Sequence, residues 1–227
     1  MKKNIVIIIL ARGGSKGIPK KNLKKICGKP LISWTIEHAI HAKKISSVWL
    51  SSDSDQILKI GRGYGINLIK RPKNISKDSS SSVSGWIHAI SLIEKNEKID
   101  IVIALQPTSP LRESKDIEKG LKEFQKNQYD SMFSGADIGD FYIWKKQNTS
   151  LKSINYNYKN RKRRQEIEPQ YVENGSFFIF TPKIIKKYNN QLGGRIGISL
   201  MEFWKSFQID DATDIEFCET IMKHYLL

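Results

Sequence analysis

Apolar runs and amphipathic segments alternate over about the first 130 residues, and this alternation is the feature that most constrains the fold. The first run, residues 5–11 (IVIIILA), is rich in β-branched residues, which is typical of a strand buried on both faces of a parallel sheet. Further strands are predicted at 48–51, 66–69 and 99–105, and helices at 31–42, 54–61, 82–95 and 116–126. Because strands that alternate with helices form βαβ units, we expect an α/β fold with a mainly parallel central sheet.

The pattern changes after Ser131. Residues 137–170 are polar, dense in charge and rich in aromatic side chains, without helical periodicity, and we interpret them as an inserted β-rich arm. Beyond the arm, we predict a buried strand at 176–180, a short helix at 183–188 and a closing helix at 211–225. Since 227 residues are enough for one well-packed domain, we expect a single domain over 1–227 that carries the arm at 137–170.

Cysteine content and hydropathy exclude several classes of protein. Cys27 and Cys218 are too few for a disulfide framework or a four-cysteine zinc site. The longest apolar run, residues 5–11, is far shorter than the roughly 20 residues that a membrane-spanning helix needs. Arg12 follows this run at once, and no signal-peptide cleavage pattern comes after it. We therefore expect a soluble, cytoplasmic protein without a membrane partner.

The chain is strongly basic, with 38 Lys and Arg against 23 Asp and Glu and a formal net charge of +15. Such a balance predicts an anionic partner, which leaves nucleic acid, a membrane surface and a polyphosphate ligand open. Most of the excess is scattered lysine, and the one dense block is residues 161–164 (RKRR). A basic nucleic-acid-binding module is the contrasting class of function. No helix-turn-helix, zinc-finger or RNP signature supports it, so we expect no nucleic-acid partner.

The loop after the first predicted strand carries the strongest chemical signal. Residues 11–22 (ARGGSKGIPKKN) hold three glycines, four basic residues and Ser15. Glycines let backbone N–H groups turn toward an anion, and the cations neutralise phosphate charge. The spacing is neither that of a Walker A loop nor that of the dinucleotide-binding Gly-x-Gly-x-x-Gly pattern. Because ligands of open α/β sheets bind beyond the carboxyl ends of the strands, this loop predicts a polyphosphate site.

The same loop, with the leucine before it (LARGGSKGIPKKN), resembles the signature of the acylneuraminate cytidylyltransferases, the CMP-nonulosonate synthetases. The similarity continues in the family's order over nearly the whole chain. It includes Arg71-Pro72, DSSSSVSGWIHAI (78–90), LQPTSPLR (105–112), ENGSFFIF (173–180) and FQIDDATD (207–214). The resemblance implies a Rossmann-like nucleotidyltransferase fold.

This resemblance also implies a reaction. CTP and a nonulosonic acid, an acidic nine-carbon sugar, would give the CMP-sugar and pyrophosphate, with Mg²⁺ or Mn²⁺ as cofactor. The nearest alternative is a cytidylyltransferase for a 3-deoxy-octulosonic acid. We further expect a homodimer, because five aromatic residues between 141 and 158 need a partner surface if the arm lacks a core of its own.

Individual roles follow from the family positions. The resemblance assigns nucleotide binding to Ala11, Arg12, Gly13, Ser15, Lys21, Asn22, Arg71 and Ser82. It assigns catalysis to Arg12, Lys21 and Asp210, and sugar binding to Gln106, Arg164, Asn174 and Lys145. For Lys145, a site in a neighbouring subunit is the alternative to its own. Two cations can hold the charge that develops on the α-phosphate and the departing pyrophosphate, which agrees with these roles. The hydroxyl of Ser82 is also expected to cap the helix that begins there.

Two positions depart from the family pattern. The usual Asp-Ile-Asp near the end is Gln208-Ile209-Asp210 here, so the expected metal ligands are Asp210 and Gln208, of which only one is a carboxylate. Val172 stands where sialic-acid members often carry an arginine. The number of metal ions, the general base and the identity of the nonulosonic acid therefore stay open.

Overall fold

The computed structural model describes residues 3–227. No helix among these residues is long and apolar enough to cross a membrane. The elements along the chain are β1 (Ile5–Leu10), β2 (Lys25–Ile26), β3 (Lys29–Pro30), α1 (Leu31–His41), β4 (Ser47–Ser52), α2 (Asp55–Gly63), β5 (Asn67–Lys70), α3 (Ser82–Ile93), β6 (Ile101–Leu105), α4 (Ser114–Lys126), β7 (Ser131–Asp137), β8 (Trp144–Gln147), β9 (Ser150–Ser153), β10 (Tyr171–Phe180), α5 (Pro182–Tyr188), β11 (Ile196–Leu200) and α6 (Ala212–Tyr225). Short 3₁₀ helices lie at Lys21–Leu23, Lys73–Ile75, Arg164–Glu166 and Phe203–Ser206.

Seven strands form one central sheet in the order β11-β7-β10-β6-β1-β4-β5. All neighbouring pairs are parallel except those of β10, which runs antiparallel to both β6 and β7. The prediction of an α/β fold with a mainly parallel sheet is confirmed. Strand β1 lies inside the sheet, where Ile7 pairs with Val48 on one side and Ile103 on the other. This central position explains why the run at 5–11 is apolar throughout.

Side chains of β1 alternate between two hydrophobic cores, one on each face of the sheet. Ile7 and Ile9 belong to the core that α1, α2 and α4 cover. Val6 and Ile8 belong to the core that α3 and α5 cover, where Trp86 packs edge-on against Phe178 with ring centroids 5.8 Å apart. A strand with helices on both faces has no solvent-facing side. In sheets of this kind, ligands bind beyond the carboxyl ends of the strands, so the loops there are where a site is expected.

Several predicted boundaries shift in the structure. Helix α4 begins two residues before the predicted start, because Glu113 and Asp116 form a capping box around its first turn. Strand β10 begins at Tyr171, five residues before the predicted start, and contains a bulge between Glu173 and Phe178. Strands β7 and β11 were not predicted. The small and polar residues of SMFSGAD and IGISL have weak strand propensity. These segments are strands because they form hydrogen bonds with neighbouring strands of the sheet.

The segment 137–170 lies between β7 and β10. The expectation of a β-rich arm is only partly right, since β8 and β9 form one exposed two-stranded hairpin and most other residues of the arm are irregular. The expectation that the arm lacks a core of its own is confirmed, since no residue of 139–170 is buried and its aromatic side chains contact one another at the surface. Tyr142 lies 4.0 Å from Tyr156 between ring centroids, and Trp144 packs on both Tyr156 and Tyr158. The division into one domain and an arm stays a prediction.

Candidate active site

A polar cleft of about 270 Å³ opens where the strands of the central sheet end. Three segments form its walls: the loop after β1, the segment between β5 and α3, and the loop after β6. The lining residues are Leu10, Arg12, Gly14, Ser15, Lys21, Asn22, Arg71, Ile75, Ser76, Lys77, Asp78, Ser80, Ser81, Ser82, Gln106, Pro107 and Thr108. This set includes seven of the residues that the sequence assigns to a site: Arg12, Ser15, Lys21, Asn22, Arg71, Ser82 and Gln106.

The first wall, the loop after β1, is anchored by its own backbone. The N–H of Ala11 donates to the Ser51 carbonyl at 3.1 Å, and the N–H of Gly13 donates to Asp53 Oδ1 at 2.9 Å. The expectation that glycine N–H groups turn toward a bound anion is therefore wrong for Gly13, because Asp53 has taken that donor. Asn22 Nδ2 donates to the Arg12 carbonyl at 2.9 Å. These bonds hold the loop so that the side chain of Arg12 reaches the cleft.

Lys21 joins the first wall to the segment that carries Asp210. Its Nζ lies 2.7 Å from the Ile209 carbonyl oxygen and 3.0 Å from Asp210 Oδ1. Gly17 makes this approach possible, since a Cβ on Gly17 would lie 2.4 Å from the Asp210 carbonyl oxygen. Asp214 fixes the other side of Asp210 by accepting its backbone N–H at 2.8 Å. Two residues 189 positions apart, Lys21 and Asp210, thus meet at the edge of the cleft.

Arg71 reaches the cleft from beneath the second wall. Its side chain is buried, and its Nε donates to Ser76 Oγ at 2.9 Å. Burial lowers the pKa of the guanidinium and Asp53 partly opposes this shift, but an arginine stays charged at any physiological pH. Helix α3 makes room with Gly85, where a Cβ would lie 3.1 Å from Arg71 Nη1. The result is a preformed positive charge at the bottom of the cleft.

The start of α3 forms the rest of the second wall. Ser80, Ser81 and Ser82 all line the cleft. The expectation that Ser82 caps the helix is wrong, because Ser81 is the N-cap residue and its hydroxyl accepts from the N–H of Ser84 at 3.3 Å. Ser82 is the first helical residue, so its hydroxyl is not needed as a cap. A helix N-terminus favours negative charge, which suits an anionic ligand in this cleft.

The third wall is the turn after β6, and a buried arginine holds it. Arg112 Nη1 donates to the carbonyls of Ser176 at 2.7 Å and Gln106 at 3.3 Å, and its Nη2 donates to Thr35 Oγ1 at 3.1 Å. Complete burial lowers the pKa of Arg112 to about 10, so the side chain remains a cation near neutral pH. Arg112 therefore fixes the turn that presents Gln106. It lies inside the quoted LQPTSPLR segment, but sequence reasoning gave it no role.

Gln208 links the third wall to β10. Its Oε1 accepts from Thr108 Oγ1 at 3.0 Å, and its Nε2 donates to the Asn174 carbonyl at 2.8 Å. A carbonyl oxygen only accepts, so this contact defines which end of the amide is the nitrogen. The side chain of Asn174 is buried and accepts from Ser134 Oγ at 2.6 Å, away from the cleft lining. The sugar-binding role of Asn174 and the metal-binding role of Gln208 stay predictions.

Lys145 and Arg164 lie on the arm and do not line the cleft. Lys145 is exposed on β8, and Arg164 is exposed in the 3₁₀ helix Arg164–Glu166. The arm itself touches the body of the protein through Phe141, whose ring stacks on that of Phe203 with centroids 5.3 Å apart. Within one chain, the four predicted sugar residues therefore divide into Gln106 at the cleft, Asn174 buried in β10, and two cations on the arm.

Comparisons with known proteins identify the family. A family model described as cytidylyltransferase matches residues 6–227. An N-acylneuraminate cytidylyltransferase from Oncorhynchus mykiss is 34% identical over 219 residues, which is 95% of this chain and 49% of that protein. A pseudaminic acid cytidylyltransferase from Campylobacter jejuni is 30% identical over 228 residues, which is 97% of each. The chain thus spans about half the length of the first relative and nearly all of the second.

Solved structures share the fold. A CMP:2-keto-3-deoxy-manno-octonic acid synthetase, solved in complex with CTP, matches with a TM-score of 0.73 at 17% identity over 99% of this chain and 100% of that one. A 4-diphosphocytidyl-2C-methyl-D-erythritol synthase from Anaerococcus prevotii matches with a TM-score of 0.68 at 14% identity over 98% of this chain and 100% of that one. Identities this low concern the fold alone. The family model, which matches almost the whole chain, shows that this protein belongs to the cytidylyltransferase family.

Proposed function

We propose that this protein activates a nonulosonic acid with CTP, giving the CMP-sugar and pyrophosphate. The observation that carries the proposal is the convergence of Arg12, Lys21 and Arg71 on one cleft at the carboxyl ends of the strands. Three cations beside a helix N-terminus suit a triphosphate. Relatives named for acylneuraminic and pseudaminic acids support a nine-carbon acidic sugar as the acceptor.

The proposed reaction is a direct displacement at the α-phosphorus of CTP. The anomeric hydroxyl oxygen of the sugar forms a bond to this phosphorus, the bond to the oxygen that bridges to the β-phosphate breaks, and pyrophosphate leaves while the hydroxyl loses its proton. Arg12 and Lys21 would hold the negative charge that grows on the α-phosphate and the leaving group. No covalent enzyme intermediate is needed, because positioning and charge neutralisation account for much of such catalysis.

The remaining cleft residues would orient the nucleotide. Ser15 and Asn22 lie on the same loop as Arg12 and would offer polar groups to the phosphates. Ala11 and Gly13 would act by fixing the path of this loop, since their N–H groups bond to Ser51 and Asp53. Arg71 and Ser82 lie on the opposite wall, where the start of α3 can receive the base and ribose. A fixed nucleotide with its α-phosphate toward Lys21 would leave the Gln106 side of the cleft for the sugar.

Asp210 suits a shared magnesium or manganese ion better than a closed protein site. Among residues 3–227, no three His, Cys, Asp or Glu side chains cluster closely enough to hold a metal ion. The carboxylate of Asp210 is mostly exposed beside Lys21 at the cleft edge, and Mg²⁺ is commonly bound by one or two carboxylates together with substrate phosphates. Asp210 would hold such an ion, which would neutralise phosphate charge. Gln208 would join it through the second lone pair of its Oε1, since Thr108 occupies only one.

The sugar site and the dimer are linked in this proposal. Gln106 would contact the sugar directly, and Asn174 would act through the Gln208 contact. Lys145 and Arg164 would bind the sugar carboxylate from the arm of a second subunit, since neither lines the cleft of its own chain. Large exposed apolar side chains on the arm, Phe141, Leu151, Ile154 and Tyr158, support a homodimer through this surface.

A pyrophosphate-release assay tests the proposed function. Purified protein with CTP and Mg²⁺ is offered N-acetylneuraminic, legionaminic, pseudaminic and deaminated nonulosonic acids, and a 3-deoxy-octulosonic acid as the alternative acceptor. Pyrophosphate that forms only with CTP and a nine-carbon acid supports the proposal. Turnover restricted to the eight-carbon acid would favour the alternative. Absence of turnover with every acid, combined with salt-sensitive binding to oligonucleotides, would contradict the enzyme assignment.

A further inference from the structure

Two carboxylates lie against the cations of the proposed phosphate site. Lys21 pairs with Asp210, which already has a proposed role in metal binding. Arg12 pairs with Asp78, a residue to which neither the sequence motifs nor the family comparison gives a role. The cleft therefore contains an acidic group facing the cation that is expected to bind a triphosphate.

The Arg12–Asp78 pair spans the cleft from one wall to the other. Arg12 follows β1, whereas Asp78 lies 66 residues later in the segment before α3. A local turn holds Asp78 in place, because the N–H of Ser80 donates to the Lys77 carbonyl at 3.0 Å and the N–H of Lys77 donates to Ser80 Oγ at 3.1 Å. Both partners are partly exposed, with relative side-chain exposures of 34% for Arg12 and 40% for Asp78. The pair is thus accessible to an incoming ligand.

A phosphate anion and the Asp78 carboxylate compete for the same guanidinium. An anion that binds Arg12 must first displace Asp78, and it then lies near a like charge on the same wall. Both effects weaken anion binding by an amount that is nearly independent of what else the ligand carries. CTP offsets the loss through its base and ribose, whereas pyrophosphate has no such contacts.

We propose that Asp78 competes with phosphate groups for Arg12 and thereby lowers the affinity of the cleft for any phosphate ligand. Bare phosphate anions then bind too weakly to fill the cleft, whereas CTP keeps enough affinity through its base and ribose. The proposal rests on the proposed function only in taking CTP and pyrophosphate as the occupants of the cleft. Asp78 lowers the residence of pyrophosphate after the reaction and prevents cellular phosphate from filling the empty site. It does so without touching the reacting atoms.

Binding measurements without divalent metal test the competition directly. Isothermal titration calorimetry is carried out with inorganic pyrophosphate and with CTP on the intact protein and on Asp78→Asn. A partly exposed ion pair and a nearby like charge together predict pyrophosphate binding about three- to tenfold tighter in Asp78→Asn. This gain in pyrophosphate affinity should be smaller at high salt, because exposed charges are screened.

Asp55→Asn is the matched control. Asp55 forms an exposed ion pair with Lys70, and neither residue lines the cleft. The substitution changes the net charge by the same amount as Asp78→Asn, so a general charge effect would appear equally in both variants. We expect pyrophosphate affinity of Asp55→Asn to stay within about twofold of the unmodified protein, as for a remote screened charge.

A double-mutant cycle identifies Arg12 as the partner. In an Arg12→Gln background, Asp78→Asn should no longer improve pyrophosphate binding, because no guanidinium remains for Asp78 and pyrophosphate to compete for. Thermal unfolding of each variant shows whether the fold is retained. Unchanged or weaker pyrophosphate binding in a folded Asp78→Asn protein, or an equal gain in Asp55→Asn, overturns the inference while leaving the proposed function intact. If the unmodified protein binds neither CTP nor pyrophosphate, the proposed function fails as well.

Discussion

Around the cleft, irregular backbone is held by buried polar side chains, whereas in the arm it is covered by aromatic side chains at the surface. Arg112 and Lys205 are fully buried cations that bond, respectively, to the Ser176 carbonyl in β10 and to the Asp116 carboxylate in α4. In the arm, Trp144 packs edge-on against Tyr156 and at a tilt against Tyr158, while large apolar side chains beside them stay exposed. A buried polar group that lost its hydrogen bond would destabilise the fold, so the buried bonds around the cleft favour a single backbone geometry. Aromatic side chains at the surface of the arm leave apolar area exposed, which a partner could cover.

Lys205 shows how the cleft region obtains its rigidity. Its Nζ lies 2.7 Å from Glu113 Oε2, 2.9 Å from Asp116 Oδ2 and 3.2 Å from Glu202 Oε2. Burial by itself would lower the pKa of this ammonium, but the bonds to Glu113 and Asp116 raise it. The cluster ties the start of α4 to the 3₁₀ helix Phe203–Ser206, which leads directly into Gln208 and Asp210. Substituting Lys205 therefore tests whether buried polar bonds stabilise the region around the cleft.

The largest expected effect is on stability. Lys205→Met leaves the buried carboxylate of Asp116 without its cation and should lower the free energy of unfolding by about 3–5 kcal/mol. Lys186→Met is the control, since Lys186 pairs with Glu94 at the surface and should cost at most about 1 kcal/mol. Urea denaturation followed by circular dichroism measures both. Equal losses in the two variants would mean that burial of Lys205 has no special importance.

The next effect is on catalysis. Lys21→Ala should lower kcat/KM for CTP at least about a hundredfold, because it removes a charge-stabilising donor from the proposed phosphate site. Lys70→Ala removes an exposed lysine outside the cleft and should leave kcat/KM nearly unchanged. Steady-state pyrophosphate release compares the two. Near-normal turnover in a folded Lys21→Ala protein would remove this loop from the mechanism.

A smaller effect concerns the arm. If the arm forms the homodimer, Leu151→Glu should weaken dimerisation about tenfold or more, because a charge would enter an apolar interface. Leu227→Glu is a matched control, since Leu227 is equally exposed but lies outside the arm. Light scattering and sedimentation at micromolar concentration measure the association. A monomeric unmodified protein, or dissociation caused by Leu227→Glu alone, would contradict an arm-mediated dimer.

The smallest effect concerns the metal. Gln208→Asp should lower the Mg²⁺ concentration for half-maximal activity a few-fold, roughly what one added carboxylate ligand gives, while Gln208→Ala should change it only modestly. Aspartate also loses the bond from Gln208 Nε2 to the Asn174 carbonyl, so we expect about 1 kcal/mol less stability. Mg²⁺ titrations of the three proteins, with Asp210→Asn as the nearly inactive reference, measure this. An unmoved half-saturation point in Gln208→Asp would show that position 208 does not face the ion.

Continuous segments explain what sequence reasoning predicted well. The order of strands and helices before the arm follows from apolar periodicity, which depends on neighbouring residues alone. The family resemblance assigned roles to Arg12, Lys21 and Gln106, and all three lie in segments that follow predicted parallel strands, whose carboxyl ends share one edge of the sheet. Strands β7 and β11 were not predicted because many of their residues are small or polar. Their extended conformation depends on pairing with neighbouring strands rather than on local propensity.

The sequence by itself determined the layered α/β architecture, the position of the loop that we propose to bind phosphate, and the family, because each depends on local sequence patterns. Only the tertiary structure decided that Gly17 lies against Asp210, that Arg12 faces Asp78 and that Ser81 caps α3. The first two contacts join distant parts of the chain, and the third depends on where the loop turns into a helix. Hydrophobic periodicity does not predict such contacts, because the path of a loop depends on packing and hydrogen bonding across the whole molecule.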